Sequence, residues 1–137
     1  MRRSAFYIAL PLATLFGCGG PRYYPIEGQV VWAETGTAAI ELKGGFVEFE
    51  SADHLLSGRG EIGPDGRFQI MTVKPNDGLP PGEYGVVVIQ PPSQFEKPER
   101  LIDVKYERFA HSGLKAQVQA RSKNSVSITV ERPKPKS

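Results

Sequence analysis

Cysteine is nearly missing from this chain. Among 137 residues there is one, Cys18, so no disulfide can close within the molecule. Histidine is almost as scarce: His54 and His111 are the only two, and neither has a cysteine or a second histidine at ligand spacing, which removes the usual zinc patterns. Asp65 and Asp77 each precede a glycine, but neither belongs to an Asp-x-Asp-x-Asp-Gly loop. Turn chemistry is therefore expected of both, and calcium binding of neither. Ser112 stands next to His111 without a Gly-x-Ser-x-Gly elbow around it, so no nucleophile is expected there. An excess of one charge is lacking too. The formal net charge is +2, and without Arg2 and Arg3 the seventeen Lys and Arg fall to fifteen, equal to the fifteen Asp and Glu. That balance leaves no basic footprint for nucleic acid. The composition points away from an enzyme, a metal site or a cofactor.

What is there begins with the N-terminus. A basic head, Met1-Arg2-Arg3-Ser4, leads into a mainly apolar run of twelve residues, Ala5 to Phe16. Such a run is short for a bilayer span and suits the core of an export signal. It ends in Leu15-Phe16-Gly17-Cys18, which resembles a bacterial lipobox, where a small residue precedes the cysteine whose thiol takes a diacylglycerol. Lipidation also accounts for an odd cysteine in an exported chain, and more than one acyl chain is what makes such an anchor stable. The expected division is a lipoprotein signal peptide at 1–17, a lipidated tether at 18–25, a β-sandwich at 26–131 and a flexible basic tail at 132–137. The partner implied is a membrane reached through the lipid. The expected address is the bacterial cell envelope, on the outer membrane. Tyr23 and Tyr24 suit either the membrane interface or packing beneath the first strand.

The remainder reads as short strands cut by turns. Ile26 to Ala33 alternates, Phe46 to Glu50 forms a second strand, and Gly58 to Gly63 is short and Gly-rich, like an edge. Pro64-Asp65-Gly66 predicts a tight turn closing a hairpin onto Arg67 to Lys74, with Gly66 at positive φ. Ile40-Glu41-Leu42 offers a short pairing. Glu83 to Gln90 is apolar on both faces, as for a central strand covered from both sides. Leu114 to Ala120 and Val126 to Val130 alternate again around a turn at 121–125. Between Gln90 and Leu114, the segment Pro91 to Gly113 breaks the strand period and is long for a connection, as functional loops often are. One all-β sandwich of about seven strands follows, and about 106 residues from Ile26 to Glu131 suffice for a core.

Ile26-Glu-Gly-Gln-Val-Val, Gly45-Phe-Val-Glu-Phe-Glu, Gly58-Arg-Gly-Glu-Ile-Gly-Pro-Asp-Gly-Arg-Phe and Leu79-Pro-Pro-Gly-Glu-Tyr-Gly-Val-Val-Val resemble carboxypeptidase regulatory-like domains. Lys105-Tyr106 and Ser112-Gly113-Leu114 are similar to the stretch before the last hairpin in small bacterial envelope lipoproteins of that kind. Glu61-Ile62 departs from the Thr-Asp usual before the turn. The resemblance implies a transthyretin-like or Ig-like sandwich. Its motifs are structural, so they speak to fold and little to activity. Two functions remain open. One is a non-enzymatic, membrane-tethered module that is structural or holds an envelope protein. The other is a binding module for a small ligand or glycan at the 91–113 loop, where Phe95, Tyr106 and Phe109 offer aromatic faces. Burial of those aromatics favours the first, and a shared open face the second.

Overall fold

In a computed structural model of the chain, residues 21–93 and 99–135 are described. Alternation along β1 (Ile26–Trp32) turns Ile26, Val30 and Trp32 inward, each at most 2% exposed. Gly28 shares that inward face and carries no side chain for a reason. A methyl group there would come within 2.5 Å of Phe68 Cζ and 2.6 Å of the Val126 carbonyl oxygen. The other strands are β2 (Phe46–Ser51), β3 (Ser57–Glu61), β4 (Arg67–Gln69), β5 (Gly82–Ile89), β6 (Leu114–Val118) and β7 (Asn124–Val130). They form a three-stranded sheet in the order β4-β1-β7 and a four-stranded sheet in the order β3-β2-β5-β6. The protein is an all-β sandwich.

The core lies between the sheets. Phe49 of β2 meets Phe68 of β4 across the gap, edge to face at 6.4 Å between centroids, and Tyr84 of β5 at 6.3 Å. Full burial of such side chains is worth roughly 1.5–3 kcal/mol each. The Tyr84 hydroxyl keeps its bond by donating to the Pro80 carbonyl at 2.6 Å. As its two apolar faces suggest, β5 is interior to its sheet. Tyr84, Val86 and Val88 enter the core cluster, while Val87, 1% exposed, is buried outside it.

Three expectations change. The Pro64–Gly66 turn forms as read: Gly66 has φ 76°, Gly63 N–H donates to Arg67 O at 2.8 Å, and Arg67 N–H donates to Asp65 Oδ1 at 3.1 Å. The hairpin it closes nevertheless parts beyond the turn. β3 pairs with β2, and β4 pairs with β1 through Gln29↔Arg67 to Glu27↔Gln69. Only Arg59↔Met71 bridges the two arms again. The cause is β1, which is parallel to β7 along one edge over seven residue pairs and needs a partner on the other. Second, β6 and β7 belong to different sheets, so their link is a corner and not a hairpin. Third, Ile40–Leu42 is a 3-10 turn that buries Leu42, not a strand pairing.

Strand direction gives the sandwich two poles. At the N-terminal pole, Tyr24 exchanges backbone hydrogen bonds with Leu79 at 3.0 and 3.2 Å, and the Pro25 carbonyl accepts from Asn124 N–H at 3.0 Å. Tyr24 and Pro25, read as tether, are therefore part of the fold. The β2–β3 turn, the 71–81 loop and the β6–β7 corner lie at this pole. The Pro64–Gly66 turn, the 3-10 turn at 40–42 and the start of the 91–113 segment lie at the far pole. There the Arg132 guanidinium stacks 4.0 Å from the Trp32 ring centroid and donates to Glu41 at 3.2 Å, so the basic end of the chain starts from a fixed residue.

Candidate functional site

The 91–113 segment is fixed from its flanks inward. Gln90 at the end of β5 clamps the returning chain: its Nε2 donates to Glu99 O at 3.1 Å and its Oε1 accepts from Leu101 N–H at 2.9 Å. Arg100 donates to Glu107 and to the Ile102 carbonyl, both at 3.1 Å. Ile102 is fully buried in the core cluster. Val104–Glu107 then makes one 3-10 turn, started by Asp103, whose carboxylate accepts from Lys105 N–H at 3.0 Å. This segment also covers β7 where that strand ends. Asp103 N–H donates to Glu131 O at 3.2 Å, and Glu131 N–H donates to the Tyr106 hydroxyl at 3.2 Å.

The three aromatics named from the sequence part company here. Tyr106 is 5% exposed and belongs to the core. Phe109 is 36% exposed and lies over β5, where a methyl at Gly85 would be 3.5 Å from its Cδ1. Tyr106 and Phe109 therefore share no open face. Phe95 and Cys18 lie outside the described residues. Among the described residues of this segment, a shallow surface hollow of about 460 Å³ is lined by Val104, Lys105, Arg108 and His111.

Elsewhere the polar groups that invite a chemical role hold backbone. Ser112 is 5% exposed; its hydroxyl donates to the Val86 carbonyl at 2.6 Å and accepts from Leu114 N–H at 3.2 Å. Asp77 accepts from the N–H groups of Thr72, Val73 and Lys74 at 2.7, 3.0 and 3.2 Å. Burial pushes its pKa up, but those backbone donors together outweigh it and hold the carboxyl below its ordinary value. Glu41 is also held low, first by the Trp32 indole N–H donating at 2.9 Å and then by its own backbone and Arg132. His54 sits at the tip of the β2–β3 turn at φ 62°, bonded to Glu50.

The sequence reading missed an open groove of about 460 Å³ between Glu27, Glu61, Asp65, Arg67, Gln69 and Asn76. It lies where β4 turns from β3 to pair with β1. No local pattern signals that, since the turn residues are those of a continuous hairpin.

No family model matches the chain, and no curated protein matches it. Among solved structures it is similar to a DUF3823 family protein from Bacteroides ovatus ATCC 8483, at 17% identity and a TM-score of 0.42, over 78% of this chain and 44% of that one. It is also similar to a 9R-lipoxygenase from Cyanothece PCC8801, at 15% identity and a TM-score of 0.41, over 96% of this chain and 18% of that one. The chain thus spans less than half the length of either neighbour. At this degree of likeness neither bears on activity.

Proposed function

We propose that this is a non-enzymatic envelope lipoprotein, anchored through lipid on Cys18, whose transthyretin-like sandwich serves as a structural or protein-interaction module. The observation that carries the non-enzymatic part is the commitment of several polar side chains to the scaffold. The Ser112 hydroxyl, the Asp77 and Asp103 carboxylates and the Tyr106 hydroxyl each hold backbone groups. A group so engaged must break those bonds before it can act on a substrate. Burial of Tyr106 favours the module over a glycan platform, because stacking needs an open ring face. The anchor rests on Leu15-Phe16-Gly17-Cys18 after the apolar run.

Mass spectrometry of the chain purified from its native envelope is the test. The expected result is a chain that begins at Cys18 and carries diacylglyceryl, with Cys18→Ser accumulating as unprocessed precursor. An unmodified Cys18 in the native chain overturns the reading. Turnover of a small hydrolysable substrate by the purified chain, lost in Ser112→Ala with melting temperature kept, overturns its non-enzymatic part.

A further inference from the structure

Of the large apolar side chains left exposed among the described residues, four gather at one pole, while Ile40, Val104 and Phe109 lie elsewhere. Seven stand out among the described residues, and the two most exposed are Leu55 at 81% and Val73 at 75%. Both are at the N-terminal pole, as are Met71 at 45% and Tyr23 at 39%. Their placement follows from the pairing. Tyr23 precedes Tyr24, which bridges to Leu79. The Thr72 hydroxyl donates to Gly78 O at 2.7 Å, which holds Met71 and Val73 beside that bridge. A methyl at Gly58 would lie 3.2 Å from Thr72 Oγ1 and 3.3 Å from Leu79 Cδ1, so the β2–β3 turn carrying Leu55 reaches the same end.

The charges at this pole differ in how they are used. Asp77 is spent on three backbone N–H groups, and Asp53 accepts from the Ser51 hydroxyl and Leu55 N–H. Lys74 and Arg121 are exposed and make no ion pair among the described residues. Apolar tips beside two unpaired cations suit the interface of an anionic lipid leaflet, with the hydrogen-bonded Asp53 and Asp77 carboxylates still charged among them. The chain outside the described residues also enters here. Cys18 is six residues from Tyr24, a reach of roughly 20 Å at full extension.

We propose that the N-terminal pole docks on the bilayer, with Tyr23, Leu55, Met71 and Val73 in the headgroup region of an anionic phospholipid leaflet and Lys74 and Arg121 against its headgroups. The proposal deepens the lipoprotein reading and rests on it for the anchor. A tether this short keeps the pole beside the membrane at high effective concentration, so a contact too weak to recruit the free protein still forms. The two neighbouring tyrosines divide between the sandwich and the membrane: Tyr24 packs under the fold, and Tyr23 faces outward.

The test uses the full native chain reconstituted into vesicles of phosphatidylcholine and phosphatidylglycerol with brominated acyl chains. Tryptophan is introduced singly as L55W, V73W or V104W. Trp32 is 2% exposed at the far pole and gives a constant background. The added emission at 55 and 73 is expected to fall by about half, the response of a ring at interfacial depth, while that at 104 does not change. Omitting phosphatidylglycerol should weaken the quenching; equal quenching without it overturns the role given to Lys74 and Arg121. A lipid-bearing chain whose residues 55 and 73 are quenched no more than 104 overturns the docking and leaves the anchor standing. A chain with no lipid on Cys18 overturns the anchor. The docking is then judged by quenching of that same chain on the same vesicles: quenching at 55 and 73 upholds it, and none overturns it too.

Discussion

Asn124 is 5% exposed at the corner where the chain leaves one sheet for the other, and its side chain does the work of a strand partner. Its Oδ1 accepts from Gln119 N–H at 2.9 Å, and its Nδ2 donates to Gln119 O at 3.0 Å and to Pro25 O at 3.3 Å. One amide thus ties β6 to β7 and both to the first residues of the fold. Asn124→Ala removes three hydrogen bonds, each worth about 1 kcal/mol net. Gln119 is exposed, so water can replace part of the loss at its backbone. The expected destabilisation is therefore about 2 kcal/mol, or roughly 8 °C in Tm for a domain of this size. Asn124→Asp separates geometry from bonding. It keeps the shape and the acceptor, but it sets a carboxylate against two carbonyl oxygens, and at neutral pH it should cost at least as much as alanine. Thermal unfolding by circular dichroism reads both. A shift under about 2 °C for Asn124→Ala would mean that the corner is held by β7 pairing alone and would refute the clamp.

Gly66 at φ 76° should not tolerate a branched side chain: Gly66→Val is expected to cost at least ~1 kcal/mol, and an unchanged Tm refutes the turn geometry. Asp77 has a lowered pKa, so its contribution to stability is present above its ordinary 3.8 and is lost as pH falls through the lower folded value. Asp77→Asn should accordingly melt well below the native chain at pH 7, with the gap narrowing as the pH drops under that value. A gap independent of pH would show that the charge is not what holds the 72–78 loop.

The turns and strands were legible in the sequence because each is set by a few neighbours. Alternation located β1, β2, β5, β6 and β7 to within a residue or two, and Pro64-Asp65-Gly66 specified its own backbone. Sheet membership was not legible in the same way. Whether β4 bonds to β3 or β1 depends on which edge is unfilled after β1 and β7 have paired, and that pairing joins residues about a hundred positions apart. The 91–113 segment was legible only in part, for a related reason. Its aromatics and charges lack a period because Ile102 and Tyr106 plug a gap between elements, and a plug needs only single residues at the right points. Polar partners such as Gln90, Ser112 and Asn124 carry no local signal of their role. Each meets backbone far away or across a corner.

The two poles also bear on where a partner would meet this protein. β1 is seven residues long, so a strand of about 23 Å separates the ends of the three-stranded sheet. On the proposed anchoring, Tyr23 and the loops beside it face lipid. The hollow lined by Val104, Lys105, Arg108 and His111 is then held toward the side away from the membrane. The scaffold commits Ile102, Tyr106 and Ser112 to the interior, yet it leaves Val104 exposed at that hollow and Phe109 exposed over β5. Rigid support beneath exposed side chains is the arrangement that makes a surface recognisable, because the ordering entropy has already been spent in folding. On the proposed reading, the outer rim of this segment, and not its buried Tyr106, is the part of the loop that a protein partner would meet.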